Sequence, residues 1–326
     1  MHDYSNILIR ATNWLGDAVM SLPALEAIRE RFPRARIALL AKPSVADLYR
    51  RESVADEVIL YNSPSRWRMG RELRPRGFDC AILLQNAFEA AWIARLAGIP
   101  NRIGYDRDGR RLLLTCPVPV PKPGEIPRHE RFYYLELLRR AGLIPRLPPS
   151  DSIRLKAGPP TTGKRVIGVS PGAAYGGAKR WLPERFAESA GVLAASRGAT
   201  IVLFGSPSER ALCDQVARLL DGHAVINHAG RTTLGEFIEL AAGCELFLSN
   251  DSGAMHIAAA LGVPTVAVFG ATDAAATGPV GAQVRVVREP VECSPCLLRE
   301  CPIDHRCMER VSASRVVKAA LELLVD

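Results

Sequence analysis

CELFLSNDSGAMHIAAALGVPTVAVFG, residues 244–270, decides the fold. An apolar run (244–250) ends in a polar turn, Asn250-Asp251-Ser252-Gly253. A helix-like segment (253–261) follows, then a second apolar run (263–270). Strand, helix and strand in that order imply parallel strands in a sheet covered by helices. Ser252 or Asp251 suits the cap of a helix starting near Gly253. The N–H groups and partial positive charge at such a helix start favour a diphosphate.

The same alternation extends outward. Strand-like runs occur at 7–9, 37–41, 56–61, 78–84, 165–170 and 199–205. Helix-like segments occupy 21–32, 87–97, 129–141, 184–197, 208–220 and 233–242. The class is therefore α/β with parallel sheets. The pattern breaks once, at LIPRLPPSDSIRLKAGPPTTGK (143–164), which holds five prolines. A length of 326 residues suits two domains, expected at 1–155 and 156–326.

Bulk composition narrows the class. The chain is 48% hydrophobic and 23% charged, without a long polar tract, which excludes a disordered protein. A formal net charge of +8 favours anionic partners. Neither a signal-peptide pattern nor an apolar run near ~20 residues is visible, so a cytoplasmic location is expected. The eight cysteines are then expected to be reduced or metal-bound.

Two motifs mislead. GPPTTGKR (158–165) nearly fits a phosphate loop, but Arg165 replaces the hydroxyl residue and a strand follows where a helix should. Asp106-Arg107-Asp108 has the form of a metal-binding D-x-D, yet Gly109-Arg110-Arg111 after it reads as a solvated turn. No G-x-G-x-x-G follows a strand, which argues against a dinucleotide oxidoreductase.

VSPGAAYGGAKRWLPERF (169–186) is a better phosphate cradle. A strand ends at Ser170, a loop carries Gly172, Gly176 and Gly177, and Lys179 closes it. Small residues let backbone N–H groups approach phosphate oxygens, and the lysine adds a full charge. The plainer alternative is a strand–helix connection with a surface lysine. Glu209, after another strand, suits ribose hydroxyls or simply the first turn of a helix. His256 alone reads most simply as a half-buried histidine. In the first half, TNWLGDAVM (12–20) joins a strand to a helix with one glycine, no lysine and a single acid, Asp17.

Three stretches together resemble glycosyltransferase family 9, the ADP-heptose:lipopolysaccharide heptosyltransferases. They are NWLGDAVMSLPAL (13–25), PGAAYGGAKRW (171–181) and NDSGAMHIAAALGVPTVAVFG (250–270). The middle stretch, with QNAF (85–88) and AGIPNRIGY (97–105), is most similar to the type II branch, which adds the second core heptose. The resemblance implies a GT-B fold of two Rossmann-like domains facing a cleft. The N-terminal domain would take the acceptor and the C-terminal domain the ADP-sugar. It implies inverting heptose transfer from ADP-L-glycero-D-manno-heptose to the heptosyl-Kdo inner core, with no metal and no cofactor. By position, Asp17 becomes the general base, and Lys179 lies near the donor diphosphate. Gly172, Ala174, Tyr175, Glu209, Thr232, Asp251, Ser252, Gly253 and His256 line the donor site. Ala174 and Tyr175 depart from the threonine pair of the type I branch. Asn86, Arg107 and Arg128 are expected at the acceptor. The simpler reading of Asp17 is a helix cap.

RWRMGRELRPR (66–76) holds five arginines and one glutamate. With Arg102, Arg107, Arg110, Arg111, Arg128 and Arg131 it forms a basic N-terminal half, read either as a solvated face or as a grip on anionic acceptor and inner leaflet. No nucleic-acid module is present. A monomer in peripheral contact with the cytoplasmic face of the inner membrane is expected. CSPCLLRECPIDHRC (293–307) spaces four cysteines as C-x₂-C-x₄-C-x₅-C. That spacing is compatible with a thiolate metal site but departs from the usual paired ribbon, which favours reduced thiols. The rivals are another family 9 transferase with a different acceptor, a nucleotide-sugar epimerase or hydrolase on the same plan, and a non-catalytic binding protein.

Overall fold

The computed structural model describes residues 3–62, 65–148, 152–158 and 165–324. The chain forms two compact units, residues 1–150 and 151–326. The first contains β1 (Asn6–Arg10), β2 (Arg36–Ala41), β3 (Glu57–Leu60), β4 (Cys80–Leu83), β5 (Asn101–Tyr105) and β6 (Cys116–Val118). They lie side by side in the order β3-β2-β1-β4-β5-β6. The second contains β7 (Val166–Ser170), β8 (Thr200–Leu203), β9 (Val225–Asn227), β10 (Leu246–Asn250), β11 (Thr265–Phe269) and β12 (Val284–Arg288). Their order is β12-β11-β10-β7-β8-β9. Every neighbouring pair is parallel.

Both orders describe one path. The chain starts in the middle of a sheet, steps outward through two strands, returns to the other side of the first strand and steps outward again. The reversal falls between β1 and β4 in the first unit and between β7 and β10 in the second. At such a switch point the connections leave in opposite directions, opening a crevice at the carboxyl ends of the two strands. The loops after β1, β4, β7 and β10 are therefore where ligands are expected.

Helices bury both faces of the central strands. Ile7, Leu8 and Ile9 of β1 and Leu246, Phe247 and Leu248 of β10 are all 1% exposed or less. That two-sided burial produces the unbroken apolar runs of these segments. The second unit starts ahead of the expected boundary at 155. Ile153 and Leu155 are buried, and Leu155 N–H donates to Ala260 O at 2.9 Å, so the end of the linker packs on the helix Gly253–Ala260. Of the phosphate-loop look-alike, residues 159–164 lie outside the described residues.

One glycine fixes how closely β7 and β10 pack. Gly168 stands opposite Phe247 in register, and a Cβ there would meet the Phe247 ring at 2.6 Å and Cys244 Sγ at 2.8 Å. Phe247 in turn stacks against Phe204, with centroids 5.8 Å apart. Gly168→Ala should overpack this cluster and lower stability by about 1–3 kcal/mol, read as a lower urea midpoint; an unchanged midpoint would show that the ring gives way freely.

Candidate functional site

In the second unit the sequence motifs meet at the switch point. Asp251, the first residue after β10, is 5% exposed. Its carboxylate takes the Lys179 ammonium at 2.6 Å and the Thr272 hydroxyl from the loop after β11. Asp251 is therefore no helix cap. Ser252 holds the N-cap position of Gly253–Ala260, but its hydroxyl bonds Ser249 Oγ at 3.1 Å and makes no cap. Lys179 also sits 4.7 Å from the centre of the Tyr175 ring, a cation–π contact. A buried carboxylate, itself held by a hydroxyl, and an aromatic face thus fix one ammonium at the carboxyl edge of β7 and β10.

The loop after β7 is fastened on three sides. Asn250, the last residue of β10, is fully buried; its amide donates to Pro171 O at 2.7 Å and accepts from Trp181 N–H at 2.9 Å. Glu209 lies over Gly172, where a Cβ would come within 2.1 Å of its Oε1. Its Oε2 accepts from Ser206 N–H and Oγ, both at 2.8 Å, so it also closes a capping box. On the third side runs the cysteine-rich strap. Tyr175 OH donates to Leu297 O at 2.7 Å, Ala178 N–H to Arg299 O at 2.9 Å and Gly177 N–H to Glu300 Oε1 at 2.9 Å. The strap's cysteines are free thiols: Cys293 exposed, Cys296 and Cys301 half-buried, Cys307 buried. Burial, then the neighbouring thiols of Cys293, Cys296 and Cys301, push the Cys307 thiol up. Among the described residues no group of three or more potential ligands is arranged to hold a metal ion.

In the first unit, Asp17 is the third residue of the helix Leu15–Met20, whose N-cap position is Trp14. Its carboxylate accepts a hydrogen bond from the buried Tyr134 hydroxyl. Burial, then the charge of Asp17, pushes the Glu130 carboxyl up, with Arg107 opposing. Two carboxylates thus share this edge. Beside them, Asn86 donates to Tyr133 OH at 3.1 Å, and Arg107 donates to the same hydroxyl at 3.2 Å. Tyr134 and Tyr133, adjacent in the helix Arg131–Arg140, therefore serve the loops after β1 and β4 respectively.

Of the expected residues, the structure joins Lys179, Asp251 and Tyr175; Gly172 and Glu209; and Asn86 and Arg107. Ala174 is exposed on the loop, and Arg128 is exposed ahead of Arg131–Arg140. Thr232 follows β9, next to Thr233, which caps the helix Leu234–Ala242. Gly253 opens its helix, whereas His256, 4% exposed, lies inside it. Asp106 pairs with Arg111, and Asp108 lies 3.5 Å from Arg107 in a left-handed turn with φ 54°, so the D-x-D segment is a turn held by arginines. Arg110, read as part of a basic face, is fully buried: it donates to Tyr105 O at 2.9 Å and Asn86 Oδ1 at 3.1 Å. Burial lowers it to about 10, so it remains a cation at neutral pH. Sequence reading missed Tyr133, Tyr134, Glu130, Asn250 and Thr272. Asn250 alone stood inside a quoted motif.

The pattern described as Glycosyltransferase family 9 (heptosyltransferase) matches residues 66–306. Lipooligosaccharide heptosyltransferase 2 of Campylobacter jejuni is 30% identical, over 98% of this chain and 98% of its own. Lipopolysaccharide heptosyltransferase 2 of Salmonella typhimurium is 31% identical, over 86% and 87%. The solved structure of Escherichia coli ADP-heptose lipopolysaccharide heptosyltransferase II superposes with a TM-score of 0.82 at 27% identity, covering 98% of both chains.

Lys179→Ala leaves Asp251 buried without its cation, a loss of about 3–5 kcal/mol in the unfolding free energy. Lys179→Met combined with Asp251→Asn should recover most of it; a Lys179→Ala midpoint equal to wild type would contradict the pair. The unfolded chain ionises Glu130 near the ordinary value of about 4.3. The folded carboxyl holds its proton longer, so stability is lost as pH rises through the raised folded value. Glu130→Gln should therefore melt above wild type at about pH 8 and level with it at about pH 4; a gain of equal size at both would remove the ionisation argument.

Proposed function

The chain belongs to glycosyltransferase family 9, the heptosyltransferases, and from that premise we propose that it moves a heptose from ADP-L-glycero-D-manno-heptose onto the heptosyl-Kdo inner core of lipopolysaccharide, inverting the anomeric carbon without a metal ion. What carries the reading is the pair of switch points: a carboxylate edge in one unit and a fixed ammonium beside a glycine loop in the other.

In this reading the acceptor hydroxyl attacks C1 of the heptose as the bond from C1 to the β-phosphate oxygen breaks. ADP leaves with the bonding electron pair, and the hydroxyl proton passes to Asp17. A carboxylate with a reference pKa near ~3.9 is ionised at neutral pH and needs only to be within hydrogen-bond reach. The Tyr134 hydrogen bond supports the role by holding the carboxylate in one orientation. Lys179 and the β7-loop N–H groups ahead of Gly177 meet the diphosphate, where negative charge grows as ADP departs. The Asp251 carboxylate and the Tyr175 ring keep that ammonium in position before substrate arrives. Glu209 takes the ribose hydroxyls, with Thr232 near the nucleotide. Asn86, Arg107 and Arg128 meet the anionic acceptor. The site of action is the cytoplasmic face of the inner membrane.

The test is ADP release from ADP-heptose with and without truncated lipopolysaccharide. Release that requires acceptor and persists in EDTA is expected; release without acceptor would mean hydrolysis, and loss restored by Mn²⁺ would mean a metal. Asp17→Asn should keep ADP affinity while lowering turnover at least ~10²-fold, the lower range for acid–base catalysis. Turnover near wild type would place the base elsewhere.

A further inference from the structure

The helix Arg66–Leu73 buries Met69, Gly70 and Leu73 and turns Trp67, Arg68, Arg71 and Glu72 outward. Its neighbour is the helix Phe88–Leu96. They meet at Gly70, where a Cβ would come within 2.4 Å of Leu96 Cβ. That close approach brings three aromatic rings together. Trp67 meets Trp92 edge-on at 6.0 Å, and Phe88 stacks on Trp92 at 6.2 Å. The outer rings remain open to solvent, Trp67 61% and Phe88 42% exposed. Isolated exposed aromatics need no explanation, but a contiguous row of them does.

Arginines frame the row. Arg66 pairs with Glu89 at 3.6 Å and Arg68 with Glu72 at 2.8 Å. Arg71, Arg74 and Arg95 are exposed and make no ion pair among the described residues. Five arginines stand against two glutamates, so the face keeps a positive excess. Indole rings favour the headgroup layer of a bilayer, and arginines attract anionic lipid. A sugar platform would need an open ring face at the centre, whereas Trp92 is already covered by Trp67 and Phe88. Phe88 also opens the helix that follows β4, and Trp14, 56% exposed, follows β1. The aromatic row thus begins on the edge that carries Asp17.

We propose that the paired helices Arg66–Leu73 and Phe88–Leu96 dock the protein on an anionic lipid surface, with Trp67 and Phe88 in the headgroup layer and Arg71, Arg74 and Arg95 on lipid phosphates. This rests on the lipid-linked acceptor of the proposed function, since docking sets the edge bearing Asp17 against the surface from which that acceptor projects.

Two measurements test it. Sedimentation with phosphatidylcholine vesicles, with and without phosphatidylglycerol, reads docking alone. Wild type should bind only the phosphatidylglycerol vesicles, with a blue shift in tryptophan emission. Arg71→Ala with Arg74→Ala should weaken that binding on the order of 30-fold, and Trp67→Ala should diminish the shift. Circular dichroism of these surface variants should match wild type. Heptose transfer to a delipidated soluble acceptor should be unchanged in them, while transfer to vesicle-embedded acceptor falls. Failure of wild type to bind phosphatidylglycerol vesicles, or equal binding by the variants, overturns the docking surface. Equal loss on both acceptors makes it a saccharide site and overturns it too. Vesicle binding lost in the variants, with no transfer by wild type to either acceptor, leaves docking supported and removes the heptose-transfer reading instead.

Discussion

One buried amide holds the second switch point in shape. Asn250 ends β10, yet its side chain bonds the loop after β7 at both ends, donating to Pro171 O and Gly172 O and accepting from Trp181 N–H. The loop between Pro171 and Trp181 is thus framed from the neighbouring strand. A buried amide stripped of its partners costs about 1–3 kcal/mol, so a loop that slipped would leave that cost behind. Lys179 rides on this frame. It reaches Asp251, the residue directly after Asn250, so the ammonium and the frame are set by the same strand end.

The first unit solves the same problem with arginines. Arg10, at the end of β1, is 1% exposed and donates to Ala11 O, Leu40 O and Asn13 Oδ1. Arg110 does the same for Tyr105 O, Gln85 O and Asn86 Oδ1. A carbonyl at a strand end keeps a lone pair to spare, and a guanidinium offers five donors in a rigid fork. Part of the positive charge of the chain is therefore internal bracing. Arg102 belongs with it, donating to Leu113 O at 2.6 Å and also to Ile99 O. Of the arginines left facing outward, Arg66, Arg68 and Arg71 stand together on the helix Arg66–Leu73.

The α/β class was legible because central strands are buried on both faces, whereas the GT-B fold came only from the resemblance of the loop motifs to family 9. β1, β4, β7, β10 and β11 each wrote an apolar run that survives without context. β5, β6, β9 and β12 did not. β9 and β6 are three residues long, and β12, VRVVR, leaves most of its side chains exposed at the edge of its sheet. The motif loops were legible as places but not as contacts. Lys179 and Asp251 are distant in sequence, and Thr272 arrives from a third strand end, so no local pattern joins them. Tyr134 and Glu130 were invisible for the same reason: they sit in an ordinary amphipathic helix, and only the fold brings them to Asp17.

The glycines of the β7 loop have two causes. Read from sequence, they make room for phosphate. In the structure Gly172 makes room for Glu209, while Gly176 and Gly177 make room for the strap, where a Cβ would meet Arg299 O at 2.2 Å or Glu300 Oε2 at 2.3 Å. The two causes do not compete. A loop clamped by Asn250 beneath, Glu209 beside and the strap outside cannot rearrange cheaply when an anion arrives. Under the proposed function, such a loop would meet the departing diphosphate with little reorganisation, which is where electrostatic catalysis gains most. The cysteine-rich strap then matters to the loop through the hydrogen bonds of Leu297, Arg299 and Glu300, whatever its thiols do. The loop's small residues are the condition for being held that tightly.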